Sequence, residues 1–319
     1  MSSTIQKVLI IGSGTMGQQI GLQCAAHGFD VVMHDISADR LEFAAKGQRT
    51  FAGQLVEDMQ RPDADVELIL SRISYVEDPV AAARDVDLIS ESIPEDVWLK
   101  RSVFQKFHKL CPDRTLFTTN TSTLLPGEIA KQSGRPQKFA ALHFHPNVWD
   151  SNVVDVMPVK RTDPQVAETL REFAIDIDQT PIVFDREYRG YVINRFLVGV
   201  FREALSMVAR EVVTPAEADH AFRTVLKAEH GPCEWMDRIG LDTMLSINQF
   251  WCKRLLKLPL LDPVYRQNNR LLQSYIDKGH LGVKSGQGFF KYDASGAAMF
   301  ANSPAASDVE KLQTQPSLL

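Results

Sequence analysis

The chain has 319 residues, 44% of them hydrophobic and 24% charged, with a formal net charge of −5. That length allows two domains with buried cores, and the acidic balance excludes the broad basic surface by which nucleic acid is held. No run approaches the roughly 18 apolar residues of a membrane span, and the leader MSSTIQ is too short and polar for a signal peptide, so a cytoplasmic protein with no membrane or nucleic-acid partner is expected.

The first 185 residues alternate short apolar runs with longer amphipathic ones. Strands are predicted at 7–12, 30–35, 73–76, 86–92, 115–120, 139–144 and 153–157, with helical periodicity over 15–27, 38–58, 64–71, 79–84, 95–110 and 164–176. Strands alternating with helices imply βαβ crossovers and a mostly parallel sheet covered on both faces. The runs near 139–157 and at 181–184 have less helix between them, so an antiparallel strand or an extension of the sheet is expected there.

From Tyr191 the pattern turns helical: INRFLVGVFREALSMVARE carries apolar residues at three- and four-residue spacing. In TPAEADHAFRTVL, Thr214, Pro215 and Glu217 form a capping-box start. GLDTMLSINQFWCKRLL and PVYRQNNRLLQSYIDKG complete the set. The predicted organisation is an α/β Rossmann domain over 1–187 followed by an all-α domain over 188–319, with residues beyond about 294 loosely ordered. Cys24, Cys111, Cys233 and Cys252 form no CxxC pair, which suits buried thiols and no zinc site; no metal is expected.

GSGTMG at 12–17 fits GxGxxG and sits directly between a strand and an amphipathic helix. Gly12 allows the tight turn, Gly14 the close approach of a pyrophosphate and Gly17 close helix–strand packing, with Thr15 and Met16 opening the helix. The helix N-terminus aims free N–H groups at the phosphates. The second strand ends in Asp35, 18 residues after Gly17, where a carboxylate accepts from ribose hydroxyls and repels a 2′-phosphate. NAD is therefore expected over NADP, although FAD uses the same fingerprint.

Several segments together resemble the L-3-hydroxyacyl-CoA dehydrogenase family: KVLIIGSGTMG, ESIPED, NTSTL, ALHF, YVINRFL, GPCEWMDRIGLD and LGVKSGQGFFKY, in family order from residue 7 to about 292. The resemblance implies a Rossmann domain, a helical domain that forms a homodimer, and an active site in the cleft between them. It implies His143 as general acid/base, Ser122 and Asn194 beside the substrate oxygen, and Glu95 and Asn120 near the nicotinamide. An imidazole in that role is apt because it titrates near neutrality; His145, two residues on, is the fallback base. The family has a glutamate 12 residues after the histidine, where this chain has Asp155, one methylene shorter.

After the histidine the family reads HxxNP, whereas this chain reads HFHPNVWDSNVVD, so Trp149, Asp150, Ser151 and Asn152 are expected to line the substrate cleft. The family's lysine-rich helix for CoA corresponds to residues 40–67, whose second half is acidic, leaving Lys46 and Arg49 as local anion contacts. The expected substrate is a short-chain 3-hydroxyacyl-CoA. A free polar 3-hydroxy acid, of the L-gulonate or carnitine type, is the alternative, and a catalytically degraded NAD(H)-binding structural or sensor protein a third.

Overall fold

The computed structural model describes residues 4–60, 62, 65–255 and 263–299, and the side chains of 250–255 lie outside the description. The chain divides into two compact units, Met1–Val192 and Ile193–Leu319.

The first unit is built on an eight-stranded sheet. Its strands are β1 (Lys7–Ile11), β2 (Asp30–His34), β3 (Ile73–Tyr75), β4 (Leu88–Glu91), β5 (Leu116–Thr119), β6 (Phe139–Phe144), β7 (Val153–Pro158) and β8 (Thr180–Val183), in the spatial order 3-2-1-4-5-6-7-8. The helices between them are α1 (Thr15–Ala26), α2 (Ala38–Asp58), α3 (Asp65–Leu70), α4 (Pro79–Ala82), α5 (Val97–His108), α6 (Pro126–Ala130) and α7 (Pro164–Asp176). Buried side chains on one face include Val8, Ile10, Ile20, Leu22 and Leu142, and on the other Leu9, Ile89, Phe104, Phe117 and Phe139. A strand buried on both faces reads as a continuous apolar run, which is why KVLII and FAALHF carry little alternation.

All neighbouring strands pair in parallel except β6 and β7, which are antiparallel and set His143 opposite Asp155. The expected antiparallel strand is therefore β7, and β8 extends the sheet beside it in parallel. Helix boundaries follow capping chemistry: Ser37, Asp78, Asp96 and Asp163 each accept from N–H groups of the following turn. Helix α6 was not expected from the sequence; Pro126 starts it and the Glu128 side chain accepts from Leu125 N, a turn too short to show periodicity.

The second unit holds α8 (Ile193–Ala209), α9 (Pro215–Leu226), α10 (Pro232–Ile239), α11 (Leu241–Leu255) and α12 (Pro263–Ile276), around Phe201, Leu205, Met236, Leu241 and Leu272. The Thr214–Glu217 capping box forms as expected. Two buried carboxylates organise this unit. Asp219 accepts from Cys233 N and Glu234 N at the start of α10, and Asp237 accepts from Phe289 N, Phe290 N and Tyr292 Oη. Burial pushes Asp237 up to about 6. GPCEWMDRIGLD and the GQGFFKY turn are thus one structural unit, and a side chain at Gly282 or Gly288 would strike Asp237. The all-helical expectation needs one correction: a small antiparallel pair, β9 (Lys291–Tyr292) and β10 (Ala298–Met299), closes the described residues. The tail beyond 299, expected to be loose, and the Cys252 side chain lie outside the described residues, while Cys24, Cys111 and Cys233 are buried free thiols. No described helix is long and apolar enough to cross a membrane.

One ion pair is sealed inside the first unit. Lys100 Nζ donates to Glu91 Oε1 at 2.6 Å, and their side chains are 1% and 0% exposed. Burial pushes Glu91 up, opposed by the Lys100 ammonium and by hydrogen bonds from Thr119 Oγ1 and Ile93 N. Lys100→Met leaves that carboxylate unpaired, and urea unfolding at pH 8 should show a loss of about 3–5 kcal/mol. The loss should shrink as the pH falls and Glu91 takes up a proton; a loss well under 1 kcal/mol at pH 8 would show that the pair does not hold the fold.

Candidate active site

The glycine loop leaves β1 at the crevice where the strand order reverses, between β2 and β4, the place where open α/β sheets bind ligands. Its three glycines are there for different reasons. Gly12 has φ +100°, and a Cβ on it would lie 2.7 Å from Ser92 O. A Cβ on Gly17 would sit 1.9 Å from Gly12 O, so only glycine lets α1 pack this close to the loop. A Cβ on Gly14 would meet no protein atom within 4 Å. Packing alone does not require glycine at 14, and the space beside it is open. Thr15 and Met16 open α1, whose first-turn N–H groups face this space.

Asp35 ends the second strand segment with its side chain fixed. Ser13 N and Ser13 Oγ donate to Oδ2, both at 2.8 Å, and Ile36 N donates to Oδ1 at 2.7 Å. Burial works to raise its pKa, but these hydrogen bonds outweigh it and hold the carboxyl below its usual range. It is therefore an anion at neutral pH, with Oδ1 keeping a lone pair to spare. The loop, the helix terminus and this carboxylate fit a dinucleotide lacking a 2′-phosphate.

At the ends of β4 and β5 a polar lattice forms. Glu95 Oε1 accepts from Thr121 Oγ1, Thr123 N and Thr123 Oγ1, and its Oε2 lies 3.4 Å from Lys100 Nζ. Asn120 Oδ1 accepts from Phe144 N at 2.8 Å, tying the end of β5 to the residue after His143. Because Thr119 pairs with Ala141 in the β5–β6 register, the 120–124 loop carrying Ser122 begins one residue short of the level of His143.

His143 is 5% exposed, and its Nδ1–H donates to Asp155 Oδ2 at 3.0 Å. Burial lowers its pKa; the hydrogen bond to Asp155 opposes this and the neighbouring His145 adds to the lowering. Asp155 is fully buried, which works to raise its pKa, but the hydrogen bond from His143 and the nearby His145 imidazole prevail and hold it below its usual range. Ligand-type atoms of His143, His145 and Asp155 all lie within 4.8 Å of one another, and the contact from His143 Nδ1 to Asp155 Oδ2 is a hydrogen bond.

The structure thus brings Asn120, His143 and Asp155 together at the ends of β5, β6 and β7, and Gly12, Gly14, Gly17 and Asp35 around one loop. Asn194 stands in the first turn of α8, in the other unit. Two residues escaped the sequence reading. Lys100 looks like an ordinary helix-surface lysine but is the buried partner of Glu91 and Glu95. Tyr191, read only as the start of a helix, stacks on His143 with ring centroids 4.6 Å apart at 31°, in a left-handed conformation of φ +52°. Trp149, expected to line a cleft, is spent on packing: its Nε1–H donates to Asp58 and its ring tilts against Phe51.

The comparisons with known proteins agree with this geometry. Residues 7–188 match the NAD binding domain of 3-hydroxyacyl-CoA dehydrogenase, and residues 190–292 match its C-terminal domain. The chain belongs to the 3-hydroxyacyl-CoA dehydrogenase family; it is an oxidoreductase with NAD as cofactor. It is 32% identical to the mitochondrial hydroxyacyl-coenzyme A dehydrogenase of Rattus norvegicus, covering 90% of this chain and 91% of that protein. It is 33% identical to a probable 3-hydroxybutyryl-CoA dehydrogenase of Deinococcus radiodurans, covering 89% and 99%. Among solved structures, a diketoreductase acting on dicarbonyl compounds superposes with a TM-score of 0.82 at 36% identity, over 92% of this chain and all of that one. The (S)-3-hydroxybutyryl-CoA dehydrogenase of Ralstonia eutropha superposes at 0.81 with 26% identity, over 91% of this chain and 100% of that one.

Gly14 and Gly17 should separate binding from folding. Gly14→Val should leave thermal unfolding near wild type while weakening NADH binding at least roughly tenfold in a fluorescence titration, by filling the pyrophosphate space. Gly17→Val should fail to give folded protein. Near-normal NADH affinity in Gly14→Val would move the cofactor away from this loop.

Proposed function

We propose that the protein interconverts the 3-hydroxyl and 3-keto forms of a short-chain acyl-CoA, with His143 as the acid–base group. The observation that carries this reading is the 3.0 Å contact between His143 Nδ1 and Asp155 Oδ2 at the C-terminal end of β6. With Nδ1–H committed to Asp155, His143 Nε2 is the nitrogen left to exchange a proton with the substrate hydroxyl. The carboxylate fixes that tautomer and stabilises the imidazolium once the proton has moved. Bound NAD supplies hydride acceptance at its nicotinamide. Gly12, Gly14, Thr15, Met16, Gly17 and Asp35 would hold the adenosine and pyrophosphate, and Glu95 and Asn120 the nicotinamide end. Ser122 and Asn194 are assigned to the substrate oxygen, an assignment that rests on the family resemblance. A homodimer through the helical unit is part of the proposal, supported by exposed Val212, Val225 and Leu226 on that unit.

A second reading keeps the chemistry and replaces the thioester with a free polar oxo or hydroxy acid. Two ion pairs favour it: Lys46 is held by Glu42 at 2.6 Å and Arg49 by Glu67. The two cations nominated for CoA are thus partnered by the chain's own acids. The 36% identity to a diketoreductase points the same way. A sensor without catalysis is not favoured, because the shorter Asp155 still reaches His143.

Parallel NADH-oxidation assays on acetoacetyl-CoA and acetoacetate, with NADPH as control, test the substrate. Strong turnover of the thioester alone supports the first reading, and turnover confined to the free acid supports the second. No turnover of either would leave both without support. The pH profile tests the acid–base group. Oxidation needs neutral His143 and is lost as the pH falls through its pKa. Burial lowers that pKa, so the acid limb of kcat/KM for oxidation should lie below the ordinary imidazole value of about 6.5. Reduction needs the protonated ring and should decline as the pH rises through the same point. An acid limb above about 6.5, or none down to the pH at which the protein unfolds, would contradict the assignment.

A further inference from the structure

Beside the His143–Asp155 pair stands a second imidazole that the proposed chemistry leaves unused. His145 lies two residues after His143, on the same side of the chain as it leaves β6. The two rings meet edge to face, with centroids 4.8 Å apart at 73°. His145 Nε2 lies 3.4 Å from the same Asp155 oxygen, Oδ2, that accepts from His143. This contact is longer than a good hydrogen bond and within ion-pair reach.

We propose that His145 is a positioning residue, which holds the Asp155 carboxylate in line with His143. The inference rests on the reading of His143 as the acid–base group. Three observations support it. Asp155 is wholly buried, and its other oxygen, Oδ1, has no hydrogen-bond partner among the described residues, so the carboxylate's orientation depends on the imidazoles at Oδ2. His145 Nε2 is itself buried with no better partner among the described residues than this carboxylate. On its other side His143 is covered by the Tyr191 ring, so the imidazole cannot swing away and Asp155 is the movable member of the pair.

The direction of the electrostatic effect follows from the groups that face this cluster. Asp155 and Glu95 favour the His143 cation, while His145 opposes it. Tyr191 stays protonated, because burial and the surrounding carboxylates push its hydroxyl far up. Removing His145 deletes the neighbouring imidazole that opposes this cation. It also frees Asp155 Oδ2 to interact with His143 alone. Both changes raise the His143 pKa, so both move the acid limb of oxidation to higher pH.

Two variants separate a polar donor from the imidazole itself. His145→Phe keeps the ring but has neither N–H nor charge. Its kcat for oxidation should fall roughly tenfold, the scale of one hydrogen bond to a charged group, with NADH affinity unchanged in a fluorescence titration. Its acid limb should rise by roughly half a pH unit or more. His145→Gln can donate from its amide yet cannot ionise. It should recover most of kcat while its acid limb stays raised, a split that simple packing damage would not produce. Should the phenylalanine variant fail to fold, the limb of the glutamine variant carries the test alone. Acid limbs coinciding with wild type in the folded variants would overturn the role of His145 and leave His143 in place. A wild-type enzyme with no acid limb at all would remove both.

Discussion

The site depends on one antiparallel strand pair in an otherwise parallel sheet. Parallel neighbours are fed by crossovers and end together at one edge, where loops carry the functional groups. Because β7 runs against β6, its side chains come back along the strand just laid down, and Asp155 falls directly opposite His143. Cross-strand neighbours of such a pair lie about 4.5–5.5 Å apart at Cβ, close enough for a short carboxylate to reach an imidazole. In that register the aspartate reaches the imidazole at 3.0 Å. The register also fixes the backbones of both partners in the ladder, which leaves only the orientation of the side chains to be set.

The remaining polar machinery is anchored to the same edge from below. The buried Lys100 holds Glu91 at the end of β4 and lies close to Glu95 beyond it. Glu95 gathers the hydroxyls and an N–H of Thr121 and Thr123, and Asn120 ties β5 to β6 through Phe144 N. Each side chain is oriented by a neighbour that is itself fixed, the condition for a preorganised site. Two buried charges of opposite sign under the crevice stabilise little by themselves, since desolvation offsets much of their attraction. They fix geometry instead.

Much of this was legible in the sequence because the signals are local. Strand–glycine loop–helix–strand–acid is contiguous, and the structure gives Gly12 the tight turn and Gly17 the close helix packing that their spacing implies. The Thr214 capping box and the β6 and α2 boundaries are likewise set by neighbours in sequence. What stayed hidden depends on distant residues. Nothing near Lys100 in the chain says that it turns inward to Glu91, since an amphipathic helix tolerates a lysine anywhere along its flank. The grip of Asp237 on a turn some fifty residues away, and the stacking of Tyr191 on His143, are tertiary facts with no periodic signature. Trp149 misled for a different reason: an aromatic after a catalytic strand looks like a cleft wall, but an acidic partner at the end of α2 draws its indole to the surface of that helix. Asp155 was identified by its place in the family pattern, 12 residues after His143, and only the structure shows that it reaches.

The central claim is that His143 carries the proton while the dinucleotide loop works independently of it. The most direct measurement is turnover of His143→Gln beside its NADH affinity. Loss of the acid–base group should lower kcat by at least about 10²-fold, with NADH binding and thermal unfolding near wild type. Turnover within tenfold of wild type would contradict the claim and transfer the proton to another group.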